Sequence, residues 1–312
     1  VSSLTVVVTC YNRERYIGAS IESVLASSLA DFELLVLDDA STDGSVAVAR
    51  SLAALDRRVR VVVNERNLGQ FGNRNHALEH VETAYLKYHD SDDLMYPHCL
   101  DTMVRLLEGE PRAGFALSAG RAWLGGPCPM LSTPRLSYQR EFLGEGMFHC
   151  GPSGALFRTE VLKQLGGFPE RGVASDFCFW LKACAVRPVL LVPADLFWYR
   201  IHPEQELRSA AAPRDYAVAQ GDAWRALHSP DCPLEAEELV RAKRSCLFRL
   251  LRSSLRDIKS GQVGLAKLRL KSAGIRLADW IRYPPRPFRD PLAGAPLGAD
   301  GSTPAPSAIG SA

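Results

Sequence analysis

Short apolar runs alternate with stretches of helical period through the first hundred residues. Leu4–Val8 (LTVVV) reads as a strand, and the following segment carries Tyr16, Ile17, Ile21, Val24 and Leu25 at the spacing of one helix face. Glu33–Leu37 (ELLVL) is a second strand, Ser45–Leu55 a helix, Val59–Val63 a third strand, Gly72–Val81 a helix and Ala84–His89 a fourth strand. Strands that alternate with helices and are apolar nearly throughout predict a mostly parallel sheet with helices on both faces.

The pattern is looser afterwards. Pro97–Glu108 reads as helix, Ala113–Leu124 as a bent strand, and Gly125–Arg140 as a Gly/Pro/Ser-rich loop. Thr159–Leu165 is a short helix stopped by Gly166-Gly167, Ser175–Ala185 another helix, and Val189–Val192 a buried strand. From about Asp215 to Tyr283 the period is helical, and the Pro/Gly/Ala/Ser-rich remainder reads as disordered. The expected division is an α/β domain over 1–205, a helical extension over 206–283 and a disordered tail over 284–312. Within the first, two halves are expected, over 1–93 and 94–205.

Composition changes this picture little. The 312 residues are 46% hydrophobic and 23% charged, ordinary for a globular α/β chain. No apolar run approaches the ~20 residues that cross a bilayer, and nothing at the start reads as a signal peptide. Eight scattered cysteines without CxxC pairs suit reduced thiols in a cytoplasmic protein rather than a zinc site. Charge changes the picture more. Between Arg241 and Asp290 fourteen Lys/Arg face three acids, a local +11 in a chain of net +2. With the interleaved leucines this suits either peripheral contact with an anionic membrane or a helical cap packed on the domain. The aromatic interleaving of a nucleic-acid surface is missing.

In α/β sheets ligands sit beyond the carboxyl ends of the strands. Three strands here end in polar clusters: Thr9-Cys10-Tyr11-Asn12, Asp38-Asp39 and Asp90-Ser91-Asp92-Asp93. Three carboxylates in four residues suit a hard divalent cation, Mg2+ or Mn2+, that shares its remaining positions with phosphate and water; the alternative is a cluster capping the next helix. Tyr11 offers a ring on which a base can stack. A carboxylate at Asp39 can accept the N3–H of uracil or thymine, whereas cytosine presents only an acceptor there. One acid of the Asp38-Asp39 pair is expected to brace and the other to read the base.

These residues also carry a resemblance. VVVTCYNRERYIGASIESVL, DFELLVLDDASTDGS, NLGQFGNRNHAL and YHDSDD, in that order and at those intervals, resemble the nucleotide-binding half of family 2 glycosyltransferases of the GT-A fold. The resemblance runs from Leu4 to about Pro203. It implies that Thr9, Tyr11 and Asp39 hold the base and ribose of a UDP-sugar, with Asn12 and Asp38 beside them. It also implies that Asn67, Gly69 and Arg74 border the diphosphate and sugar. Arg74 could instead be a solvated helix residue paired with Glu79. Asp90, Ser91 and Asp92 match the family's diphosphate motif, with Asp92 and Asp93 closest to the metal.

On the acceptor side, His149 to Arg158 (HCGPSGALFR) resembles the segment where small residues, Gly154 among them, let the backbone approach the donor sugar; a turn role is the alternative. Asp176 matches the catalytic acid, although Ser175 stands where relatives often carry another. Trp198 to Pro203 (WYRIHP) resembles an element from which Arg200 would meet phosphate and His202 the metal. The QxxRW signature of processive relatives is absent, so one sugar per encounter is expected, passed to a glycan, lipid-linked or other small acceptor. A nucleotidyltransferase would need a Gly-rich basic loop where Thr9-Cys10-Tyr11-Asn12-Arg13 stands, and a dehydrogenase would need GxGxxG. A catalytically inactive nucleotide-sugar binder would not need Asp176.

Overall fold

The structure, a computed structural model, describes residues 3–118, 128–144, 146–194 and 196–285. Its first strand, β1 (Leu4–Cys10), is apolar because both faces are covered. Leu4, Val6 and Val8 join one apolar layer with Ile17, Ile21 and Val24 of α1 (Glu14–Leu25), and Val7 joins the layer on the opposite face. β2 (Glu33–Asp38), α2 (Ser45–Ala53), β3 (Val59–Val63), α3 (Gln70–Ala77) and β4 (Tyr85–Asp90) repeat the unit. The starts of α1 and α2 cap each other. Glu14 N–H donates to Asp43 Oδ2 at 3.0 Å and Gly44 N–H to Glu14 Oε2 at 3.0 Å.

Then follow β5 (Leu94–Met95), α4 (Cys99–Glu108), β6 (Phe115–Ser118), β7 (Met130–Ser132), α5 (Pro134–Leu143), β8 (Ala155–Arg158), α6 (Thr159–Gln164), α7 (Ser175–Val186), β9 (Val189–Val192) and β10 (Phe197–Trp198). The main sheet runs β3-β2-β1-β4-β8-β6-β9-β7, parallel except where β8 and β7 pair, and β5 and β10 form a separate ribbon. Strand order reverses around β1, with β2 on one side and β4 on the other. The register sets Cys10 beside Asp38 and Thr9 beside Asp90, so three polar strand ends share one rim. This is the mostly parallel, helix-covered sheet that the apolar pattern predicts and the GT-A architecture that the resemblance implies, with a C-terminal helical extension.

The second half departs from expectation in particular places. The segment read as a loop over Gly125–Arg140 contains β7 and most of α5; its residues 125–127 lie outside the described ones. Thr133 caps α5 through Leu136 N–H, and Pro134 starts it. The helix shows no amphipathic stripe in sequence because its buried face includes Ser137 and Glu141. Each is satisfied internally: Ser137 by the Ser132 hydroxyl at 2.9 Å, Glu141 by the N–H groups of Met147 and Phe148 at 2.8 and 3.1 Å. The strand expected over Ala113–Leu124 is β6 as far as Ser118, and its continuation lies outside the described residues.

The extension consists of α8 (Ala212–Ala226), α9 (Ala236–Lys259), α10 (Val263–Ala273) and α11 (Leu277–Arg282). Trp224 and Leu227 at the end of α8, and Ala242, Cys246, Leu247 and Leu250 of α9, lie in one apolar cluster with Phe157, Phe179 and Trp180. The helices therefore cap one face of the sheet. Arg269 clamps three of them together, through Asp257 Oδ2 at 3.0 and 2.8 Å and Gln220 at 2.7 Å. The disorder expected over 284–312 falls, from residue 286 onward, outside the described residues.

Candidate active site

At the shared rim opens a cleft of about 1230 Å³. Thr9 and Tyr11 line it where β1 ends, Tyr11 remaining 43% exposed. Asn12 does not line it. Its left-handed backbone, φ 51°, lets its N–H reach Ser41 Oγ and its side-chain carbonyl receive Thr42 N–H, both at 2.8 Å, tying one strand end to the next. Of the acid pair, Asp38 is the brace, accepting Ser41 N–H at 2.8 Å and its hydroxyl at 2.6 Å. Asp39 is the one presented to the cleft. Its carboxylate receives Leu68 N–H and Gly69 N–H at 2.8 and 2.9 Å and the Asn64 amide at 2.8 Å. Asn67 and Gly69 line the cleft beside it. Gly69 is required by its φ of 80° rather than by crowding, since a Cβ there would meet open space.

Arg74 lines the same cleft but is 1% exposed, so it is not a solvated partner of Glu79. It forms an ion pair with Asp90, donates to the Gln70 carbonyl at 3.0 Å and lies over the Phe71 ring at 5.1 Å. Its Nε is buried without a partner. Burial pushes the Asp90 carboxyl up, but Arg74 and Ser153 together outweigh it and hold the group below its ordinary range. Arg74→Met should strand Asp90 and lower stability by about 3 kcal/mol, the low end for a buried pair because Asp90 keeps 25% exposure. An unchanged urea midpoint would rule that coupling out.

Ser91 and Asp92 line the cleft, whereas Asp93 does not. Asp92 Oδ2 is met by Arg13 Nε at 3.1 Å and by His202 Nε2 at 2.9 Å. Asp93 is 1% exposed and stands behind the cleft wall, not on it. Its Oδ1 accepts Arg200 N–H at 2.9 Å, and burial, reinforced by Asp90, pushes its carboxyl up. Arg200 in turn donates to the Asp92 carbonyl at 2.7 Å and lies over Trp198 and Tyr16 at 5.0 and 5.2 Å. Asp93, expected as a metal ligand, and Arg200, expected as a phosphate partner, do not line the cleft and form the joint that holds residues 198–202 against the end of β4, while Asp93 Oδ2 is buried without a hydrogen-bond partner among the described residues. Residues 91–93 follow β4 in a turn, so the direction of each side chain is set by its own contacts rather than by strand alternation. Among the described residues no three His, Cys, Asp or Glu side chains converge as a metal cage. Asp92 and His202 are the donors that come together. A carboxylate and an imidazole suit a hard cation that draws most of its shell from water and diphosphate oxygens.

In the second half of the domain, Asp176 sits in the first turn of α7 and lines the cleft. Its Oδ1 accepts Phe177 N–H at 2.6 Å. Burial pushes its carboxyl up to about 6 against the opposing pull of Phe177 N–H and Arg74. Ser175 faces away, donating to the Gly172 carbonyl and accepting Arg171 N–H at 2.7 and 2.9 Å. Gly154, expected beside the donor sugar, does not line the cleft. The space a Cβ would need there is filled by Cys150 Sγ, and Gly151 and Pro152 line the cleft instead.

Several residues of the site were not singled out from sequence. Lys87 is fully buried in β4, donating to the Tyr88 carbonyl at 3.1 Å and to the Ser153 carbonyl, and so ties the turn at 152–154 to the acidic strand end. A lysine inside an apolar strand was the available signal. Arg13, the first cation after β1, was another. Glu141 and Phe142 of α5, Tyr216 and Gln220 of α8 and Arg249 of α9 also line the cleft, and no local motif marks them. The Tyr216 phenol is pushed up to about 12 by burial and next by Asp176, which puts it near that carboxylate.

Comparison with known proteins gives a consistent result. The family model described as glycosyl transferase family 2 matches residues 5–166, just over half of the chain. EpsE of Bacillus subtilis is 38% identical over 106 residues, 34% of this chain and 38% of that protein. The chain thus spans well under half the length of the curated relatives it first matches. Staphylococcus aureus TarS 1–349, solved in complex with UDP, superposes with a TM-score of 0.59 at 22% identity, covering 80% of this chain and 72% of that one. The mannosyltransferase PcManGT of Pyrobaculum calidifontis, solved with GDP-Man and Mn2+, gives 0.61 at 20% identity over 89% and 77%. At these identities the likeness to solved structures is one of fold.

Proposed function

Because the chain belongs to glycosyl transferase family 2, we propose that it moves one sugar from a UDP-sugar to an acceptor hydroxyl by a single inverting, in-line displacement, with Asp176 as general base. The observation that carries this reading is the position of Asp176, a carboxylate pushed up to about 6 in the cleft that Asp39 and Asp92 also line. A sugar hydroxyl is a poor nucleophile at neutral pH, and a carboxylate within reach takes its proton as attack proceeds.

On the donor side, Asp39 accepts the N3–H of uracil and the exposed Tyr11 ring stacks on the base. The TarS complex with UDP supports the uridine choice. Arg74 faces an anionic oxygen of the donor while its ion pair with Asp90 keeps it aimed. Asp92 and His202 would hold Mn2+ or Mg2+, a choice supported by the Mn2+ in the PcManGT complex. Such an ion, when bound, stabilises charge on the departing diphosphate. In this reading residues 1–205 carry donor and base, and the helices of 206–283 close the acceptor side.

The pH dependence has a definite sign. The active form of Asp176 is the carboxylate, so kcat/KM should fall about tenfold per pH unit below the group's value of about 6 and level off above it. A rate independent of pH through that range would remove Asp176 as the base. The general test is UDP release from UDP-sugars with Mn2+, with and without sugar acceptors. Transfer to an acceptor supports the reading. Formation of UTP from pyrophosphate, or metal-dependent UDP binding without any turnover, overturns it.

A further inference from the structure

Helix α9 has two parts with different surroundings. Cys246, Arg249 and Leu250 line the cleft. From Arg252 onward the helix emerges from the core. Leu255 and Ile258 are each 49% exposed, and Val263, at the start of α10, is 46% exposed. Between them stand Arg252, Arg256, Lys259 and Lys267, all exposed and without a side-chain hydrogen bond or ion pair among the described residues. The only acid from Arg252 to Lys271 is Asp257, and it is buried against Arg269. The tip of the α9–α10 hairpin therefore presents aliphatic groups and cations of a single sign. Exposed aliphatics on a water-facing surface are ordinarily scattered among charges of both signs, whereas unneutralised cations around them suit the interface of an anionic bilayer.

We propose that this tip docks the chain on an anionic lipid surface. Leu255, Ile258 and Val263 enter the boundary between headgroups and acyl chains, and Arg252, Arg256, Lys259 and Lys267 meet the headgroups. Leu250 and Ile258 are separated by eight residues, about 12 Å of helix. Docking thus brings the α9 wall of the cleft to within roughly a headgroup layer of the lipid. No helix among the described residues is long and apolar enough to cross a membrane; the contact proposed for this tip is a peripheral one. The proposal does not depend on the catalytic assignment.

The test uses the full chain and sedimentation with vesicles of phosphatidylcholine, with and without phosphatidylglycerol. Binding should be at least tenfold stronger with the anionic lipid, because each surface cation multiplies partition by about fivefold. Leu255→Ser/Ile258→Ser/Val263→Ser should lose about tenfold or more. Arg252→Gln/Arg256→Gln/Lys259→Gln should lose most binding and its salt dependence. The glutamine variant should keep the wild-type melting temperature, because its altered side chains are exposed and unpaired, and the serine variant, whose altered side chains are half-buried, should still melt cooperatively a few degrees lower. Absence of binding to anionic vesicles, or equal binding to neutral ones, overturns the proposal. It is also overturned if the serine variant binds vesicles as the wild type does while both bind heparin, which would make the tip a general polyanion patch.

Discussion

Asp176→Asn lowers the turnover of sugar transfer by about 10²–10⁴-fold while UDP affinity stays at the wild-type level. The substitution is close to isosteric and keeps an oxygen for Phe177 N–H, which Asp176 Oδ1 accepts at 2.6 Å, so the first turn of α7 is preserved. The lost property is proton acceptance. An amide cannot take the hydroxyl proton, so attack must proceed without a base. The rise in rate with pH through about 6 disappears in the variant if Asp176 is its source. Steady-state kinetics beside UDP titration separates the two effects. An equal loss of UDP affinity and turnover would show that Asp176 holds the donor and is not the base.

Asp92→Asn abolishes the Mn2+-dependent part of UDP affinity and lowers turnover by about 10²-fold or more. Asp93→Asn, one residue away, leaves the metal dependence in place. The contrast follows from direction: Asp92 lines the cleft with His202 Nε2 2.9 Å from its Oδ2, whereas Asp93 is buried and accepts Arg200 N–H. Asn at 93 still offers a carbonyl to that N–H, so the joint persists. Isothermal titration of UDP with and without Mn2+, on both variants, reads the difference directly. Equal loss in the two would mean that the ion sits between both carboxylates and that the turn rearranges when it binds.

The strand-end residues of the cleft were legible in the sequence because they stand where apolar strands end. Parallel neighbours bring such ends together whatever the loops do, and Thr9, Asp39, Asp90 and Asp92 accordingly share one cleft. Helix α5 was not legible, because the polar groups on its buried face, Ser137 and Glu141, break the period that marks an amphipathic helix. Gly154 was left between room for a ligand and a turn; it closes the turn at 152–154, where its missing side chain makes room for the Cys150 sulfur. Arg74 was left between a solvated and an anion-facing role. Its near-complete burial against Asp90 removes the first of these.

The sequence by itself determined the parallel β1–β4 half of the sheet, the rim and the chemical types gathered there, since apolar runs and strand-end polarity are properties of neighbours in the chain. Only the tertiary structure decided which of two adjacent acids faces the cleft, and that Tyr216, Gln220 and Arg249 from the C-terminal helices wall its far side. The direction of a side chain at a turn, and the seat of a distant helix, are set by contacts between residues far apart in sequence. Arg200 on Asp93, and Leu247 packed in the same apolar cluster as Phe157, are such contacts, and no local pattern records them.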